Sequence, residues 1–139
     1  MISLKTDTRL FDTGMIRAQT AAIVGTAAGM ETSLKRFKKD ALYKPPACPR
    51  KTGRMAKAHV TNVTVLGNRV IGSLSVVGIP YAASLHEGIS RWGTPYVYKV
   101  PGTGMKWIES KALMYNRRYL RDILGRFSTL LKNALEVLR

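Results

Sequence analysis

His86-Glu87 is the one place in this chain where an imidazole and a carboxylate stand next to each other. General acid/base work needs, besides such groups, a nucleophile or a metal and a geometry that unites them. Neighbouring residues on an extended strand point to opposite faces, so adjacency alone makes no catalytic pair. The zinc-protease pattern HExxH fails as well, because its second histidine would fall at position 90, which is Ser90. The pair therefore reads as structural, with Glu87 pairing to a basic residue and His86 filling or capping a bend. Gly102-Thr103-Gly104-Met105-Lys106-Trp107 has the look of a phosphate-cradling loop, yet a Walker loop requires Ser or Thr after its lysine, and here Trp107 follows Lys106. It reads as a lead-in that caps a helix, at whose free amides an anion could sit. Cys48, between Pro46 and Pro49, has no partner for a disulfide and no Cys/His spacing for zinc, and reads as a reduced bystander. No catalytic, cofactor-binding or metal-binding residue is assigned, and the chain is expected not to be an enzyme.

Charge is the second chemical feature. Twenty-three Lys and Arg face 8 Asp and Glu, a net charge of +15 with a pI near 10.5. Such a field favours nucleic acid, acidic protein surfaces or anionic membrane. The basic residues concentrate in Lys35, Arg36, Lys38, Lys39, Lys44, Arg50, Lys51, Arg54 and Lys57. That run reads as a solvated face, a contact to DNA backbone, or a contact to acidic rims of neighbouring proteins. No aromatic residue interleaves it in a way that suggests base stacking, so DNA contact there would be sequence-blind and salt-sensitive. Lys35, Arg36, Lys38, Lys39 and Lys57 are the candidates for DNA or an acidic surface. Among the late aromatics, Trp107 is expected in the core. Trp92, in a Gly-rich loop, is the better interface residue.

The elements that must position these residues follow from periodicity. Ile16, Ile23, Met30 and Phe37 recur every seven residues, with Ala27 and Leu34 four after two of them, which predicts a helix over 14–41 with one buried stripe. Asp12 or Thr13 is the expected N-cap, and Lys35 to Lys39 suit the negative pole at its end. Gly25 and Gly29 each cost about 1 kcal/mol in a helix interior, so packing must compensate; they mark a close helix contact or a kink. Pro45, Pro46 and Pro49 force a loop. From His59 to Gly78 the pattern turns to β, with Leu66-Gly67-Asn68-Arg69 as the turn of a hairpin. Ile79-Pro80-Tyr81 bends the chain away, and Tyr81 to Leu85 fits a short third strand or one helical turn. Residues 89–104 read as a long loop holding a short strand at Tyr96-Val97-Tyr98-Lys99-Val100. Helix returns from Met105 to Arg139, its apolar stripe running from Leu120 to Leu138, with Asn116-Arg117-Arg118 as a possible break.

The sum is an α+β fold in one domain of 139 residues and 15.4 kDa: a long N-terminal helix, a small antiparallel sheet built on the hairpin, and a long C-terminal helix packed on the sheet. The three parts are 1–41, 42–104 and 105–139. The longest apolar run, Ala18 to Met30, is interrupted by Gln19, Thr20, Gly25, Thr26 and Gly29, so no membrane span is expected. The first residues lack the pattern of a signal peptide.

Three blocks carry a resemblance: Pro49-Arg50-Lys51-Thr52-Gly53-Arg54-Met55, then Tyr81-Ala82-Ala83-Ser84-Leu85-His86-Glu87-Gly88, then Gly104-Met105-Lys106-Trp107-Ile108. In this order and spacing the chain, over roughly residues 42 to 115, resembles the minor tail-component family of tailed bacteriophages, whose members complete the neck where head and tail join. It departs from the family pattern in Lys51, where an acidic residue is common, and in the insert-like segment Ile89 to Pro101. The resemblance implies a structural virion protein, made in the host bacterial cytoplasm, that forms a homo-oligomeric ring around the DNA channel, six-fold or twelve-fold. It implies head-closure, tail-terminator or tape-measure proteins as neighbours, non-specific DNA contact in the channel, no membrane and no cofactor. Arg50, Lys51, Arg54, Tyr81, His86, Glu87, Trp92, Tyr96 and Tyr98 are the candidate interface residues, with the hairpin and residues 89–104 expected to meet across subunits. A tail terminator or minor capsid component is the alternative within the family. A free basic nucleic-acid-binding protein is the main alternative outside it, and a small hydrolase the second.

Overall fold

A computed structural model describes residues 8–136. Helix α1 (Thr8–Tyr43) is followed by a one-turn α2 (Arg54–Lys57), the antiparallel strands β1 (His59–Leu66) and β2 (Arg69–Val76), a short α3 (Ala82–His86) and the long α4 (Trp107–Glu136). The fold is α+β, with a long helix before and after a two-stranded sheet.

Helix α1 is longer than its apolar period suggested. Asp12 and Thr13 lie inside it, past the expected N-cap position, and Lys35 to Lys39 sit before its last turn. The helix crosses a Thr-rich stretch because Thr20, Thr26 and Thr32 return their hydroxyl hydrogens to the carbonyls of Ile16, Ala22 and Ala28, four residues earlier. It ends where Pro45 removes the next donor, after Lys44 N–H closes on Asp40.

Gly25 and Gly29 mark a close helix contact. A Cβ on Gly29 would stand 2.6 Å from Ile123 Cα, and one on Gly25 3.0 Å from Phe127 Cα. Since α1 and α4 run antiparallel, the same seam continues through Phe37 against Tyr119 (centroids 5.1 Å apart) and the Arg36–Asp122 ion pair at 2.8 Å. Helix α4 therefore lies mainly along α1. It joins the sheet through its first residue, Trp107, which is packed with Leu74 and Val76 around one core. A kink at Tyr115 (φ −120°) falls one residue before the predicted break. Leu138, assigned to the apolar stripe, lies outside the described residues.

The hairpin matches its turn signal. Gly67 takes a positive φ of 59°, as the first position of a tight two-residue turn requires. Eight pairs run without a bulge from Leu66–Arg69 to His59–Val76. One face lies on α1, where Gly72 lets the strand descend onto Met30 and Leu34.

Two expectations between the hairpin and α4 are resolved or corrected. Tyr81 to Leu85 is a helical turn, not a strand. Tyr96 to Val100 is not a strand, because alternation makes a strand only beside a partner and none pairs with it along its length; a lone bridge joins Ile89 to Pro95. The core sits where the end of α1, the proline loop, α2, α3 and the start of α4 converge, on Ala41, Leu42, Cys48, Met55, Ile79, Ala82 and Trp107. Exposed large hydrophobics outnumber buried ones among the described residues.

Candidate assembly interface

The bend at His86-Glu87 is held as a brace. Glu87 reaches Lys106 at 3.2 Å, and Lys106 also holds Glu109 at 2.8 Å. Its hydrogen bonds from His86 and Lys106 keep the Glu87 carboxyl below its ordinary range, and its two carboxylate partners hold Lys106 above the usual lysine value. The His86 ring stands edge-on to Trp107, centroids 4.9 Å apart. Its Nδ1 faces Glu87 at 3.1 Å, while Nε2 is buried without a hydrogen-bond partner among the described residues. Gly102 and Gly104 pair with the proline loop, Ala47 N–H donating to Gly102 and Gly104 N–H to Ala47. The Lys106 amide is taken by the His86 carbonyl at 2.6 Å. Burial pushes the Cys48 thiol up to about 11, which leaves it protonated and unreactive at neutral pH. Among the described residues no three His, Cys, Asp or Glu side chains gather as metal ligands, and no helix is long and apolar enough to cross a membrane.

His59 is buried beneath this bend. Trp107 Nε1–H donates to its Nε2 at 3.1 Å and its Nδ1 faces the Met55 carbonyl at 2.8 Å, which together require the neutral ring with the proton on Nδ1. Burial, reinforced by Lys38 nearby, depresses its pKa below the ordinary histidine value, although the backbone bonds oppose this. With the folded pKa lowered, the neutral ring stabilises the fold fully above the unfolded value of about 6.5, and the contribution falls as pH drops below it. Thermal unfolding followed between pH 7.5 and 5 should show falling stability, by at most about 1.4 kcal/mol per pH unit for one proton. His59→Gln should flatten that slope; an unchanged slope would remove His59 as its source.

The other expected site residues divide into three groups. Arg50 stacks on Tyr43 at 4.2 Å and donates to the Leu42 carbonyl, so it closes the end of α1. Arg50 nonetheless stays exposed, whereas Tyr98 is half-buried, its hydroxyl bonded to the Leu85 carbonyl and its ring edge-on to Tyr96 at 4.9 Å. Arg36 is held by Asp122. Lys35, Lys39, Lys51, Arg54 and Lys57 are exposed and Lys38 is half-buried, so only part of the basic run is free to face a partner. Tyr81, Tyr96 and Trp92 line one open groove of about 720 Å³ with Leu85 and Ile89, where Trp92 is 81% exposed and Arg91 lies over its ring at 5.4 Å.

The hairpin is the most unusual surface of so basic a chain. Between His59 and Val76 the only charged side chain is Arg69, at the turn. Val77 N–H donates to Ala58 at 3.0 Å, just beyond the paired strands. Alternation along an antiparallel ladder then turns the N–H and C=O groups of Thr61, Val63 and Val65 outward on β1, and those of Val70, Gly72 and Leu74 outward on β2. The sheet has two strands, and among the described residues no further strand pairs with either edge. Proteins that stay monomeric blunt such edges with Lys, Pro or a bulge, and this hairpin has none of these. Val60, Val65, Leu66 and Ile71 are exposed along it.

Sequence reasoning did not single out Asp40 or Lys111, and it placed the outward leucines of α4 in the apolar stripe of a helix expected to pack on the sheet. Asp40 carried a signal, since it is the lone acid in the run from Lys35 to Lys57. No family model matches the chain, and neither a curated protein nor a solved structure matches it.

Proposed function

We propose that this chain is a structural virion protein of a tailed phage, forming a homo-oligomeric ring at the neck or the top of the tail that completes the tail and joins it to the head. Two things support the reading: the three sequence blocks that resemble the minor tail-component family, and the hairpin whose two edges stand open and uncharged. The hairpin is the observation that carries it. An outward β1 edge is complementary to an outward β2 edge, so successive copies join head to tail, and such a contact closes into a ring when its rotation closes.

Magnitudes fix what each part does. Roughly six ladder bonds at about 1 kcal/mol each do not by themselves offset an association cost of about 4–15 kcal/mol. Covering half-exposed Val60, Val65, Leu66 and Ile71 adds about 1 kcal/mol apiece. Backbone pairing thus sets register, and the apolar side chains together with ring closure supply affinity. In the ring the exposed basic residues face the DNA channel or the acidic rims of head-closure, tail-terminator or tape-measure neighbours.

A free nucleic-acid-binding protein is the second reading, favoured by the charge of +15. Native mass measurement, paired with duplex DNA binding at low and moderate salt, separates the two. The ring reading expects a closed oligomer of six or twelve copies whose weak DNA binding disappears as salt rises. A stable monomer with tight DNA binding at moderate salt would favour the second reading instead.

A further inference from the structure

Helix α4 carries an apolar line that α1 and the hairpin leave mostly uncovered, with Leu131 alone half-buried. Leu120, Leu124, Leu131 and Leu135 are spaced by 4, 7 and 4, which places them on one face. The seam with α1 uses Tyr119, Ile123 and Phe127 instead. Leu120 remains 56% exposed and Leu124 60%. Two shallow grooves of about 640 and 460 Å³ follow the line end to end, with Phe127 and Ser128 common to both. Arg117 and Arg121, both exposed, border the first. Neither makes an ion pair with a described residue, whereas Arg118, one residue away, is drawn to Asp40 at 3.8 Å. From Leu120 to Leu135 the line is about 22 Å long at 1.5 Å per residue, the length of about four helical turns.

We propose that this face of α4 seats an acidic amphipathic helix of another protein, its apolar side chains on the leucine line and its carboxylates on Arg117 and Arg121. Charge decides against a second copy as the occupant. Of the chain's 8 carboxylate side chains, Asp40, Glu87, Glu109, Asp122 and Glu136 already pair with Lys44, Lys106, Lys106, Arg36 and Lys132. A second copy would bring only three further acids, at positions 7, 12 and 31, scattered near its start and not flanking a leucine face, together with 23 cations. Nucleic acid would satisfy the arginines and leave the leucines wet. A helix that is leucine-faced and acid-flanked satisfies both, in the helix-in-groove mode. The proposal uses a surface separate from the hairpin edges and stands without the ring.

The probe is a labelled 18-residue peptide with Leu at helical spacing and Glu on both flanks, titrated onto the full chain and read by fluorescence anisotropy. A version with Lys in place of Glu and a version with Ser in place of Leu are the controls. The expected result is micromolar binding of the Leu/Glu peptide, at least tenfold weaker binding of both controls, and a tenfold loss in Leu124→Ser. The pair Arg117→Glu and Arg121→Glu should invert the preference toward the Lys peptide, an outcome that a loss of folding does not produce. Binding should persist in a chain whose hairpin edge is blocked by Val65→Pro, so failure here is distinguishable from failure of the ring. Equal binding of the Ser peptide would reduce the effect to the chain's overall charge and overturn the proposal. A change of oligomer mass in Leu124→Ser would assign the face to a second copy and overturn it too.

Discussion

Asp40→Ala is expected to lower stability by about 3–5 kcal/mol, the range for removing one member of a buried charged group. Asp40 is only 3% exposed, and its carboxylate accepts from Tyr119 Oη at 2.9 Å and Lys44 Nζ at 2.9 Å, with Arg118 at 3.8 Å. Burial pushes its pKa up, but the bonds from Lys44 and Tyr119 and the nearby cations outweigh it, so the group stays below its ordinary value and ionised. Burial and the Asp40 carboxylate together hold the Tyr119 hydroxyl well above the ordinary tyrosine range, hence protonated and donating. Lys111 is fully buried beside this cluster, donating to the Pro46 carbonyl at 2.9 Å; burial lowers its pKa while Asp40 supports its charge. Taking Asp40 away leaves Tyr119 without an acceptor and several cations without a counter-charge, on a total stability of only about 5–15 kcal/mol. The cluster ties the end of α1 to the proline loop and α4, so its loss should loosen the whole core junction. Chemical denaturation of wild type and variant measures it, and a loss under 1 kcal/mol would show that the carboxylate is not the hub. Because the folded pKa is lowered, wild type should also lose this contribution as pH falls below about 3.9, and the variant should not.

Val65→Pro is expected to abolish the ring while leaving the monomer folded. The Val65 N–H points away from β2, so proline removes no bond within the hairpin and adds a ring where the next copy's strand must lie. Its cost to the monomer should stay near or below about 1 kcal/mol, because Val65 is exposed and sits beside the turn. Native mass should therefore fall from the oligomer to 15.4 kDa with an unchanged circular dichroism spectrum. Ile71→Lys, on the open face of β2, should act in the same direction by placing a charge against an apolar neighbour. Rings that survive both changes would exclude the hairpin as the joint.

What could be read from the residues beforehand was local. The hairpin was legible because β-branched runs flank a Gly-Asn turn, and both its strands pair within a few residues of one another. Trp107 in the core and Trp92 outside it followed from the helix start and the glycine-rich loop around them. The glycines of α1 pointed to a close contact or a kink, and only the position of Ile123 decides between them. Long-range polar pairing was not legible: Asp40 and Tyr119 are 79 positions apart, and no period connects them. Tyr96 to Val100 alternates like a strand yet is a loop held by Tyr98 and by the Tyr96 amide donating to Gly88, and of its side chains only Tyr98 is half-buried. The apolar stripe of α4 was visible, but its width misled. The glycine seam brings the α1 and α4 backbones so close that only a narrow line of α4 is covered, and Leu113, Leu120 and Leu124 fall outside it. For the candidate interface, sequence located the loop aromatics and the hairpin, whereas Arg50, Tyr98 and Arg36 look available until their internal partners are known.

The most direct measurement is an image reconstruction of the assembled oligomer at a resolution that traces strands. Joining through the hairpin predicts β1 of every copy beside β2 of the next, in one continuous closed sheet. Copies that meet with their hairpins apart, or a chain that stays single within an intact particle, would contradict it.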